Sequence, residues 1–190
     1  MVDLGRDPQA GRKGVVVLAG VSIVYTLILA AFLWQGYPAA APSALPLTTA
    51  EQYQVQVWYQ VPLFFLATAA CALILRLVVH LTGDALGFGV AFGRISFAMT
   101  TPFALTTMLI EAALAILLVL GVVQPQPVID WLTGEGEWFP LAYQLVAMIW
   151  IVVLLVLAVR ASIARGWLTV ASLSIVIALV YALPVGLFIR

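Results

Sequence analysis

The sequence predicts an all-α fold, a polytopic membrane bundle of five transmembrane helices. Three observations carry that expectation. Five apolar blocks fill the chain, at about Val15–Trp34, Val57–His80, Phe97–Val123, Leu141–Val159 and Leu168–Ile189. Each is long enough to cross a hydrocarbon core of about 30 Å, which takes about 20 apolar residues. The composition is 65% hydrophobic and 8% charged, with a mean hydropathy of +1.17, whereas a soluble domain carries about 25% charged residues. Finally, Lys and Arg occupy alternate gaps. Arg6, Arg12 and Lys13 precede the first block, Arg94 lies between the second and third (with Arg76 just inside the second), and Arg160 and Arg165 lie between the fourth and fifth. The gaps Gln35–Gln56 and Gln124–Pro140 contain neither residue. Since cytoplasmic loops collect the cations, this pattern predicts a cytoplasmic N-terminus and an outer C-terminus. Arg190 is the single cation expected on the outer side, and it is able to snorkel.

The elements follow in order. Residues 1–14 read as a short polar cytoplasmic tail and residues 15–190 as one membrane domain. The first block has the basic flank and trailing alanines of a signal peptide, but its apolar run exceeds the usual 7–15 residues, so an uncleaved helix is expected. Pro38, Pro42 and Pro46 exclude regular helix from the first half of the next segment. Thr49 with Gln52 fits a capping box, which would start the second helix ahead of the membrane. Trp58 and Tyr59 suit its interface. The second block ends with Arg76 and His80. Thr82–Arg94, with Gly83, Gly87, Gly89 and Gly93, reads as a short, partly helical element along the inner surface. Its glycine spacing is not that of a dinucleotide loop. Pro102 predicts a kink near the inner end of the third helix. An acidic, aromatic outer loop follows, with Asp130, Trp131, Glu135 and Glu137. Arg160–Arg165 is a tight inner turn, and Pro184 lies near the end of the fifth helix.

Composition excludes several functions. Zero net charge gives no sign of nucleic-acid binding. The single cysteine, Cys71, allows no internal disulfide and no Cys-pair metal site, and it has no basic neighbour to activate it. Ser162, Ser172 and Ser174 lack an evident base, so no catalytic set and no cofactor are expected. His80 has only Asp84 as a nearby co-ligand, too few for a metal; the two are expected to pair on one helix face.

Glu111 is the acidic residue deep in an apolar block, and a charged acid at that depth costs about 2.5–3.5 kcal/mol. It must therefore face the bundle. Thr100, Ala104, Thr107, Glu111 and Ala115 recur at helical spacing and form a small, polar stripe suited to close helix contact. Counting about 14 residues from the inner edge of the third block places Glu111 slightly outward of the midplane. The same count brings Thr68, Trp150 and Tyr181 near its level, and at least one is expected to donate to its carboxyl group. Glu111 is then either a hydrogen-bonding clamp between helices or a proton or substrate site. With no second acid and no Lys inside the blocks, the clamp is preferred.

The order of features resembles the bacterial branch of the Yip family, five-span membrane proteins named for interaction with Ypt/Rab GTPases. The resemblance rests on Gln54-Val-Gln-Val-Trp-Tyr-Gln-Val-Pro62, on the His/Arg end of the second block and the Gly-containing segment after it, and on Ala98-Met-Thr-Thr-Pro102. Glu111, Ile149-Trp150 and the terminal Leu187-Phe-Ile-Arg190 complete it. It spans about residues 10 to 190. It implies a helical membrane bundle with a cytoplasmic N-terminus, in a bacterial inner membrane, and no catalytic mechanism. Eukaryotic members have a long cytoplasmic N-terminal region and an acidic-aromatic motif. Neither is visible in residues 1–14, so the resemblance gives little support to GTPase binding. The expected role is non-enzymatic: a scaffold with lipids, other membrane proteins or copies of itself as partners. The alternative is a small transporter or lipid-translocating protein with Glu111 in its path.

Overall fold

The computed structural model describes residues 9–35, 50–125, 127–128 and 138–188, and these form helices and turns only. In chain order they are α1 (Ala10–Trp34), α2 (Ala50–Leu81), α3 (Phe88–Phe103), a π-helical turn (Ala104–Met108), α4 (Leu109–Val119), α5 (Trp138–Arg160) and α6 (Trp167–Phe188). The expected proline segment, the capping Thr49, the acidic, aromatic outer loop and Arg190 lie outside the described residues. Four helical stretches are long and apolar enough to cross a membrane: Ala10–Trp34, Trp58–Leu81, Phe88–Val119 and Trp167–Val185. A shorter apolar stretch, Leu145–Arg160, lies in α5.

Two boundaries differ from the expectation in a way that matters. The first helix starts at Ala10, so the polar tail does not extend to residue 14. The third starts at Phe88, nine residues before the apolar block, so the expected partly helical segment divides: residues 82–87 are turn and connection, and from Phe88 on it is the opening of a long helix and not a separate surface element. Both misreadings have the same cause. Hydropathy marks where lipid begins, while glycine and charge at a helix end look like loop. Here the glycines let α1 and α3 run parallel with their backbones nearly touching. A Cβ on Gly14 would lie 2.6 Å from the Gly93 Cα, and one on Gly93 would lie 2.4 Å from the Ala10 carbonyl oxygen. Farther along the same pair, Tyr25 meets Phe103 edge-to-face at 4.8 Å. Small residues at such a seam permit close van der Waals approach of the two backbones.

Two other glycines end helices. Gly83 (φ +87°) and Gly121 (φ +69°) adopt the left-handed conformation. Each forms the paired bonds of a Schellman turn, Gly83 N–H to His80 and Asp84 N–H to Val79, then Gly121 N–H to Leu118 and Val122 N–H to Leu117.

Leu18, Leu75, Ile95, Leu155 and Ile177, one from each of five helices, are fully buried at the centre. The outer surface is also apolar: Leu27, Leu73, Leu109, Ile149 and Leu179 are all exposed. An apolar surface on this scale is an integral membrane protein's, since water would penalise it at about 25 cal/mol per Å².

Candidate functional site

The helix ends are tied together at one end of the bundle. The glycine seam brings the starts of α1 and α3 together. Arg94 on α3 is buried and donates through Nη1 to the Ala161 carbonyl at 2.9 Å and to Ser162 Oγ at 2.6 Å, in the α5–α6 turn. Arg165 in that turn donates to the Thr82 carbonyl at the end of α2, at 3.1 Å. All six Lys and Arg among the described residues (Arg12, Lys13, Arg76, Arg94, Arg160 and Arg165) therefore belong to this end. Arg94 was expected at the interface; it is instead a buried staple, because the turn offers a carbonyl and a hydroxyl together. Arg76, His80 and Asp84 are exposed there. His80 and Asp84 do not share a helix face, since α2 stops at Leu81 and Gly83 reverses the chain. Among the described residues no group of three or more His, Cys, Asp or Glu could hold a metal ion.

The polar stripe on the third helix faces inward as read. Thr100, Thr107, Glu111 and Ala115 are buried, and Ala104 is half-buried. Pro102 lies inside α3, and the π turn begins two residues later, at Ala104. Proline removes the N–H that would bond the Ala98 carbonyl, and a π turn is a common way for a helix to accommodate such a local disruption. The Thr106 hydroxyl donates back to the Pro102 carbonyl at 2.6 Å, and the Thr100 hydroxyl to that of Ser96 at 2.6 Å. Thr100 is thus committed to its own helix, not to a neighbour.

The expected donors to Glu111 do not assemble around it. Thr68 is fully buried, but its hydroxyl makes no hydrogen bond. Tyr181 lies beside Thr68 without closing a hydrogen bond of ordinary geometry. Trp150 points outward, 36% exposed. The reason is depth. Phe65 of α2 stacks on Phe92 of α3, with centroids 6.3 Å apart. Thr68 lies one turn from Phe65 in the direction of the tied end, whereas Glu111 is about 28 Å along its helix from Phe92 in the opposite direction. Counting from the block edge instead of the helix start shortened that distance. α4, which carries Glu111, packs on α1.

Thr68, Tyr181 and Cys71 belong to a different contact, the antiparallel α2–α6 face. There the Cys71 thiol donates to the Ile177 carbonyl at 3.5 Å. Sequence reasoning missed Gln60, which is fully buried on α2 and whose amide reaches Thr26 of α1 at 3.4 Å. The signal was present, a Gln directly after Trp58 and Tyr59, but those rings marked the stretch as interface. Ser22 and Ser96, buried on α1 and α3, were missed as well.

Two of the three serines weighed as nucleophiles, Ser162 and Ser174, are held in structural bonds. Ser162 Oγ donates to the Ala158 carbonyl at 2.7 Å and Ser174 Oγ to that of Val170 at 2.8 Å. Comparison with family models, characterised proteins and solved structures finds no match to this chain.

Proposed function

We propose that the protein is a non-enzymatic, Yip-like scaffold of a bacterial inner membrane, spanning five times with its N-terminus in the cytoplasm. In this reading α5 is the fourth span, and the tied, cationic end is cytoplasmic, as positive residues dictate. One observation carries the scaffold role. The hydroxyls of Thr100, Thr106, Ser162 and Ser174 are all spent on backbone carbonyls. Their donor protons are thereby satisfied within their own helices, the use a structural hydroxyl makes of a buried site, although the buried Ser22, Thr68 and Ser96 hydroxyls make no such bond. The broad apolar exterior is then the working surface, where lipids, other membrane proteins or further copies dock.

A second reading, a small transporter or lipid-translocating protein, draws on a specific feature: Glu111 is buried just beyond a π turn, a distortion frequent at functional sites. Co-purification from native membranes in mild detergent, with wild type and Glu111→Gln side by side, tests both. The scaffold reading expects the same bound membrane proteins or self-association in each, because glutamine keeps an amide able to bond. A lone monomer with a hydrated, pH-responsive cavity around Glu111 overturns it.

A further inference from the structure

The cationic end carries more charge than its bonds use. Arg160 and Arg165 are exposed and fixed in place. The Arg160 guanidinium lies 5.3 Å from the centroid of the Trp167 ring and donates through Nη1 to the Arg165 carbonyl. Arg165 in turn donates through Nη2 to Thr82. A guanidinium has five N–H donors, and both acceptors here are uncharged carbonyls. Each arginine is thereby oriented while its charge and most of its donors remain outward. Neither has an ion pair among the described residues. Arg76, His80, Arg12 and Lys13 are also exposed at this end, and Asp84 is the exposed acidic residue there among the described residues. Helices α1, α3 and α6 all begin here with no acidic residue in the first turn, so their dipoles add to the positive field.

We propose that Arg160, Arg165 and Trp167 dock the phosphate of an anionic phospholipid headgroup in the leaflet at this end. The apolar surface below them favours a lipid over an acidic protein segment. Trp167 and Leu168 are 62% and 83% exposed, and Ile175, Val176 and Leu179 continue an exposed apolar face down α6. A headgroup held at the turn would lay its acyl chains along that face, whereas an acidic peptide would gain nothing from it. Two planar forks match phosphate oxygens better than ammonium groups do. The inference rests on the membrane reading above and gives the lipid partner its chemistry.

The test uses the purified full chain in nanodiscs of phosphatidylcholine and phosphatidylglycerol in equal parts, with retained lipid read by native mass spectrometry. Selective retention of phosphatidylglycerol is expected. It should fall by about 25-fold in R160Q/R165Q, since each juxtamembrane cation contributes a factor of about five. It should be partly kept in R160K/R165K, and it should fall less in R12Q/K13Q, whose side chains add to the field but are not held at the turn. Should the double variant fail to fold, Arg160→Gln and Arg165→Gln singly are each expected to lose about fivefold. Equal retention of both lipids, undiminished retention in the Gln variants, or displacement by inorganic phosphate or polyglutamate overturns the proposal. No protein partner is present in this assay, so its failure is distinct from failure of the scaffold reading, which is read by co-purification.

Discussion

The glycine seam between α1 and α3 makes a sharp prediction at Gly93. A Cβ added there would lie 2.4 Å from the Ala10 carbonyl oxygen and 2.8 Å from its carbonyl carbon. Both are backbone atoms, so no side chain is able to rotate away, and the helices must part by about 1 Å to restore ordinary van der Waals separation. Overpacking of this kind costs about 1–3 kcal/mol, and a backbone obstacle puts Gly93→Ala at the upper end. Against this, alanine gains up to about 1 kcal/mol over glycine in a helix. The net expectation is a loss of about 2 kcal/mol, with Ala10, Gly14 and Leu18, all buried now, losing contact with α3. Two glycines serve as controls. A Cβ on Gly89 meets Gly11 Cα at 3.6 Å, an ordinary contact, and one on Gly20 meets nothing within 4 Å. Gly89→Ala and Gly20→Ala should therefore be neutral or stabilising by about 0.5–1 kcal/mol. Equilibrium unfolding of the detergent-solubilised protein in increasing sodium dodecyl sulfate measures all three. Equal stability of Gly93→Ala and Gly89→Ala would refute the seam.

The buried staple should respond differently. Arg94→Met removes the donor to Ala161 and Ser162 and is expected to cost about 1.5–3 kcal/mol, the range for bonds to a charged group. Limited proteolysis should show new cleavage in the 161–166 turn, and unaltered stability would mean that the bonds carry no weight. Topology is checked by thiol labelling in intact membranes. Cys71 is fully buried and should stay silent, so Ser43→Cys and Ala164→Cys report their own sides; labelling from the same side would overturn the five-span arrangement.

The fold and the candidate site were unequally legible in the sequence. Each apolar block contains a helix because twenty apolar residues in a chain this poor in charge have no other solvent than lipid. The inward face of Thr100, Thr107 and Glu111 was legible too, since burying that stripe is the only cheap way to place an acid among apolar neighbours. What failed was the third dimension. Hydroxyl groups have a local acceptor one turn back, and Thr100 takes it, so helical spacing alone says nothing about bonds across helices. Arg94 looked like any interfacial cation because the turn that receives it, Ala161 and Ser162, lies 67 and 68 residues away. Gln60 was hidden by its aromatic neighbours.

The discrepancy at the helix starts says where the membrane lies on the fold. Phe88–Val119 contains 32 residues, about 48 Å of helix at 1.5 Å per residue. To fit that length within about 30 Å of hydrocarbon, the helix would have to tilt by about 50°, outside the range of about 0–40° that transmembrane helices adopt. Part of it must project, and the charges say which part. From Arg94 to Val119 the rise is about 38 Å, which fits with a tilt just under 40°. The first turns of α3 then stand at headgroup level. α1 agrees: Ala10–Gly14 includes the exposed Arg12 and Lys13, and the run from Val15 to Trp34 spans about 29 Å. The glycine seam therefore sits in the interfacial layer and not in the hydrocarbon. That location explains why glycine serves there. In the headgroup region water competes with helix–helix contact, and the close approach of two backbones excludes it from the seam. The apolar blocks and the helices thus mark different boundaries, one of the lipid and one of the protein. On the membrane reading, the residues between them, 10–14 and 88–94, stand at headgroup level with the α5–α6 turn.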